Sequence, residues 1–102
     1  MTEEFKSAYQ KFIDTWGIEM QSVMAIEEMS ELTKAICKYK RTLEIIGDKE
    51  KALYNIKEEI ADVLNMAEEL ELVYGTNEIE NIRKEKIERT LNKAKGEKCK
   101  KK

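Results

Sequence analysis

Histidine and proline are absent from the 102 residues. Without histidine there is no Ser-His-Asp triad, no imidazole base and no H-E-x-x-H zinc helix. Nor can there be a Glu-x-x-His pair of the ferritin-like di-iron kind. Without proline nothing obliges a long helix to kink. The two cysteines, Cys37 and Cys99, are too few for a four-cysteine zinc site. Cys99 stands in a lysine-rich stretch, and both read as reduced thiols of a cytoplasmic protein. No apolar run approaches the ~20 residues of a membrane span. The acidic start, Met1-Thr2-Glu3-Glu4, lacks the basic-then-apolar order of a signal peptide. Nineteen basic and 21 acidic residues leave a net charge of -2, so the basic excess of a nucleic-acid binder is missing too. Neither a membrane nor a specific nucleic acid is expected as a partner. What remains for chemistry is carboxylates, lysines, hydroxyls and amides. An enzyme made from these works through carboxylates and a hard metal ion.

The length fits one domain. Gly17, Gly47 and Gly75 divide segments dense in Glu, Lys, Leu, Ile, Met and Ala, all good helix formers. Four helices are predicted, with breaks near residues 16–18, 46–49 and 75–77. The first, from about Thr2 to Thr15, has Thr2 as N-cap and Glu3 and Glu4 in its first turn. Phe5, Ala8, Tyr9, Phe12, Ile13 and Trp16 recur at helical spacing and read as core. The second runs from about Ile18 to Ile46. Met20, Met24, Ala25, Met29, Leu32, Ala35, Ile36, Tyr39 and Leu43 cover half its circumference. Val23, Ile26 and Cys37 form a smaller second stripe, and a helix apolar on two sides often meets another chain. The third, from about Lys49 to Tyr74 with Asp48 as N-cap, is predicted to lie antiparallel to the second across a short connection. The fourth begins at Thr76 or Asn77, where Asn77 and Glu80 resemble a capping box. From Lys93 onward the chain is lysine-rich and is expected to fray. The expectation is an all-α, four-helix bundle-like, oligomeric protein with long antiparallel central helices. One domain spans 1–95, and a disordered tail follows at 96–102.

Charge interrupts the apolar faces. On the second helix Glu28 projects between Met24 and Leu32, and Glu31 lies in the same arc beside Ala35. On the third, Glu59 lies between Ile56 and Val63, with Asp62 three residues on. Residues three apart share a helix face, so each helix presents a pair of acids to the other. Four facing carboxylates repel, and an unpaired buried carboxylate is costly. A divalent cation removes that cost. An all-oxygen donor set suits magnesium, with manganese as a substitute, and magnesium readily binds substrate phosphates as well. Lys38 continues the acidic stripe, with Lys34 and Arg41 on its flank, where they could hold phosphates. Gln21 and Asn65 lie within two turns of the acids and could read a base or sugar.

The segments Glu27-Glu28-Met29-Ser30-Glu31 and Glu59-Ile60-Ala61-Asp62 resemble the signature of MazG-like nucleoside triphosphate pyrophosphohydrolases: E-E-x-x-E, a spacer, then E-x-x-D. Trp16-Gly17, Gln21 and the stretch Glu58 to Leu64 are similar in context, and the resemblance spans about Trp16 to Tyr74. It implies an all-α dimer or tetramer that cuts a nucleoside triphosphate between the α and β phosphates, yielding a monophosphate and pyrophosphate. It implies Glu28, Glu31, Glu59 and Asp62 as magnesium ligands, with Glu27 orienting water or supporting them. The same fold family includes all-α dUTPases and phosphoribosyl-ATP pyrophosphohydrolases, and nothing in the motif selects a base. The competing reading is a non-enzymatic helical-bundle interaction protein. Acids make up 21 of 102 residues, so acidic pairs arise readily as surface charge. A third reading is a family member that binds nucleotide without turning it over.

Overall fold

The computed structural model describes residues 1–43 and 47–98. It contains three helices: α1 (Glu3–Thr42), α2 (Lys49–Tyr74) and α3 (Thr76–Lys98). There is no strand among the described residues, so the chain is all-α.

The first expected break is present. Gly17 kinks α1, sitting outside helical backbone space at φ 85°, ψ 158°. That region of backbone space is essentially restricted to glycine. The residue therefore divides α1 into a short arm before the bend and a long arm after it. The expected end of the second helix at Ile46 lies outside the described residues, as do Cys99 and positions 99–102 of the expected tail. Helix α3 itself continues through 93–98.

Local chemistry sets the remaining ends. Thr2 Oγ1 accepts from the Phe5 N–H at 3.1 Å, and Asp48 Oδ1 accepts from the Lys51 N–H at 3.0 Å. Each satisfies one amide that the first turn of a helix leaves free. Gly75, at φ 117°, donates its N–H to the Glu71 carbonyl at 2.8 Å and closes α2. The Asn77–Glu80 capping box does not form. The Gly75 carbonyl already accepts from the Ile79 N–H at 3.1 Å, so the cap position falls on Gly75 and Asn77 lies inside α3. Glu80 turns to Arg83 instead, accepting from Nη1 at 2.7 and 2.9 Å.

Helices α1 and α2 pack as an antiparallel pair, and α3 touches only α2. Ala25 and Ala52 are buried between α1 and α2. Their small side chains let the backbones approach closely. Tyr9 brings the short arm onto α2: its hydroxyl donates to Glu68 Oε1 at 2.8 Å and meets Asn65 Oδ1 at 3.5 Å. Burial and the Glu68 carboxylate push the phenol pKa up to about 12, so Tyr9 stays a neutral donor.

The core is thin. Among the described residues, only Tyr9, Ala25 and Ala52 are buried apolar side chains. The aromatic stripe of the short arm is core only in part: Tyr9 is buried and Ala8 and Ile13 are half-buried. Phe5, Phe12 and Trp16 are exposed, and α3, which packs only on α2, does not cover them. Every residue from 81 to 96 is exposed. The accessible surface is 8487 Å², whereas a compact monomer of 12.0 kDa would show roughly 6,000 Å². No described helix is long and apolar enough to cross a membrane.

Candidate metal centre

Three acids from two helices converge. Glu28 on α1 and Glu59 and Asp62 on α2 each place a carboxylate oxygen within 4.8 Å of the others. The antiparallel register produces this. Glu59 and Asp62 share one face of α2 at a three-residue step, and that face meets α1 at Glu28. Glu28 and Glu59 are half-buried and Asp62 is exposed.

The electrostatics follow from crowding. The Glu28 carboxyl is pushed above its ordinary range by burial, then by the charges of Asp62 and Glu59 and a hydrogen bond with Asp62. Glu59 is pushed up by burial, then by Asp62 and Glu31. Its Oε2 is buried with no hydrogen-bond partner. A buried acceptor without a donor is uncommon in folded proteins and costs free energy. These oxygens fit a hard divalent cation: the donor set is all oxygen, and a cation would satisfy both the orphaned atom and the mutual repulsion.

The other expected residues fall into two groups. Glu31 is exposed and lies outside the three-acid cluster, but it is close enough to raise Glu59. It lines a groove of about 560 Å³ with Glu59, Lys34, Lys38, Arg41 and Asn55. The three basic side chains therefore share one groove with two of the acids. Asn55 is an addition that its polarity alone did not mark. Glu27 is exposed, one position round the helix from Glu28, and does not join the cluster.

Gln21 and Asn65 lie on the other side of the acids, toward the bend at Gly17. They line a cavity of about 390 Å³ together with Phe5, Phe12, Trp16, Met24, Met66 and Glu69. Gln21 and Glu69 are nearly fully buried, at 3% and 2% exposure. The Gln21 amide is assigned with its nitrogen toward α2, because the reverse sets oxygen against oxygen. It then donates to Glu69 Oε2 at 2.6 Å and Oε1 at 3.1 Å. Burial pushes the Glu69 carboxyl up. Glu69 is a site residue that the periodicity of the sequence did not mark. The available signal was spacing: Glu69 follows Asp62 by seven residues, as Glu28 follows Gln21, so each pair shares a helix face.

In comparisons with known proteins, no family model, no curated protein and no solved structure matches this chain.

Proposed function

We propose that the chain is a magnesium-dependent nucleotide pyrophosphohydrolase of the MazG-like kind, acting in the cytoplasm on a nucleoside triphosphate. The observation that carries this reading is the convergence of Glu28, Glu59 and Asp62 around a buried, unpartnered Glu59 oxygen. A surface salt-bridge role accounts poorly for it, since no cation of this chain pairs with the three acids among the described residues. The resemblance supplies the reaction and the bond, and it rests on the motif residues themselves.

Glu28, Glu59 and Asp62 would hold the ion, with Glu31 as a fourth ligand from the adjoining groove. Magnesium bound there would engage phosphate oxygens and offset the charge that builds on them. Lys34, Lys38 and Arg41 line the side where the outer phosphates would lie, and they draw off the remaining charge. A carboxylate of the groove orients water and takes its proton as the water oxygen bonds to the α-phosphorus. The bond from that phosphorus to the α–β bridging oxygen breaks, and pyrophosphate leaves. Glu27 supports this set from one position away. The cavity at the bend receives the base, with Gln21 and Asn65 among its polar groups.

The working form is a homo-oligomer, dimer or tetramer, bundled through the exposed apolar faces. The surface in excess of a compact monomer is roughly 2,500 Å², which is in the range that obligate dimers bury. Val23, Ile26 and Leu64 are exposed at 49%, 61% and 59%. An apolar expanse of this kind marks an interaction surface.

The test is a pyrophosphate-release assay on a panel of NTPs and dNTPs, with magnesium, with EDTA, and with Glu59→Gln. Magnesium-dependent pyrophosphate release that the variant loses is the expected result. Orthophosphate as the product would refute the bond assignment. A folded protein with no turnover on any nucleotide would favour the interaction-protein reading.

A further inference from the structure

We propose that Glu69 makes the cavity at the α1 bend selective for bases with an exocyclic amino group, namely adenine, cytosine or guanine over thymine or uracil. This rests on the hydrolase reading above. Position comes first. Gln21 lies two helical turns before Glu28, and Glu69 lies two turns after Asp62 on the opposing helix. Both polar groups therefore sit about 10 Å along the helices from the acids. One nucleoside bridges that gap, with phosphates at the acids and base in the cavity.

The cavity suits a base by shape and chemistry. Phe5, Phe12 and Trp16 present exposed aromatic faces along one wall. Such faces stack on any base and carry no selectivity. Selectivity falls to the buried polar floor. A carboxylate offers about four acceptor sites, and the Gln21 amide occupies two of them. The remainder is acceptor capacity on a nearly fully buried side chain at the cavity floor, which favours a ligand that brings N–H groups. Adenine and cytosine carry amino donors where thymine carries a carbonyl oxygen, and guanine has its own amino group. Uracil and thymine offer one ring N–H set between two carbonyl oxygens, so meeting the carboxylate brings at least one of those oxygens against it, and a buried mismatch of that kind discriminates.

The chain has a single tryptophan, Trp16, in the cavity wall, so its fluorescence reports binding independently of turnover. The experiment titrates dAMP, dCMP, dGMP, dTMP and dUMP against the full chain with magnesium. It also measures kcat/KM on the matching triphosphates, for wild type and Glu69→Gln. The variant keeps an acceptor for Gln21 and gains a donor for a carbonyl. Wild type is expected to favour the amino-bearing bases by about tenfold or more, and Glu69→Gln to shrink that ratio by raising thymine and uracil relative to the rest. Equal treatment of all bases, a thymine or uracil preference, or an unchanged ratio in the variant would overturn the role of Glu69 and leave the hydrolase reading standing. Selective binding with no turnover would keep Glu69 as the reader and overturn hydrolysis. Absence of binding to every nucleotide would overturn both.

Discussion

Replacing Glu28 with glutamine should change stability in opposite directions with and without magnesium. The side chain keeps its shape and its amide can donate to Asp62 without a bound proton, and the charge that Glu28 carries when ionised is removed. Glu59 and Asp62 each hold an oxygen within 4.8 Å of the Glu28 oxygen. At that separation two unit charges repel by about 0.9 kcal/mol at the permittivity of water. Glu28 is half-buried, and screening reduces the effect further, so about 1 kcal/mol is a fair total for the metal-free protein. In a domain of this size that corresponds to a Tm increase of about 4–8 °C. Magnesium at 100 times its Kd would stabilise wild type by about 2.7 kcal/mol, and the variant, short of one charged ligand, should lose most of that gain. Thermal melts followed by far-UV circular dichroism, in EDTA and in excess magnesium, give all four values. The variant should be the more stable protein in EDTA and the less stable one in magnesium. A variant that melts lower in EDTA, or that keeps the full magnesium response, would refute the account of the cluster.

The same acids predict a pH dependence. Glu28, Glu59 and Glu69 are all raised above the ordinary 4.5 in the folded chain. An acid with a higher pKa folded than unfolded binds its proton more tightly when folded, so stability is lost as pH rises from the unfolded value through the folded one. Urea melts of the metal-free protein should therefore show higher stability near pH 5 than near pH 8, with a flatter slope in magnesium, which replaces the protons on Glu28 and Glu59. A metal-free protein that gains stability over that interval would contradict this. Gly17→Ala should cost about 1–3 kcal/mol from backbone conformation alone, since an added Cβ meets nothing within 4 Å. Gly96→Ala, equally free of contacts but inside α3, should stabilise by about 0.4–1 kcal/mol. Equal effects at the two glycines in denaturant melts would remove the argument from the bend.

The acids were legible because they broke a pattern. Glu28 and Glu59 stood where 3.6-residue periodicity called for apolar side chains, and the Gly47-Asp48 break set the two helices antiparallel. Helix starts at Thr2 and Asp48 were legible because capping is local chemistry. The base-side cavity was not. Periodicity reports that Phe5, Phe12 and Trp16 share a face, but not whether anything covers it. That depends on which helices pack together, and α3 packs on α2 alone, which local sequence does not encode. Glu69 was hidden by its neighbours, since in Glu68-Glu69-Leu70-Glu71 only the packing distinguishes the buried acid from the others. The three-acid cluster, with Glu31 at its edge, differs from the expected four for a related reason: Glu31 shares the stripe with Glu28 but reaches the rim.

The register between α1 and α2 has a consequence for how the chain can change in length. Gln21 faces Glu69 across the pair, and seven residues along each helix Glu28 faces Asp62. One residue inserted between Gln21 and Glu28 would rotate one group about 100° away from the other, separating cavity floor from acids on α1 while α2 kept them aligned. An insertion between Thr42 and Lys49 disturbs neither pair. Added or lost residues are therefore tolerable at the connection and at the far end of α3, and excluded from two seven-residue stretches that must keep the same count.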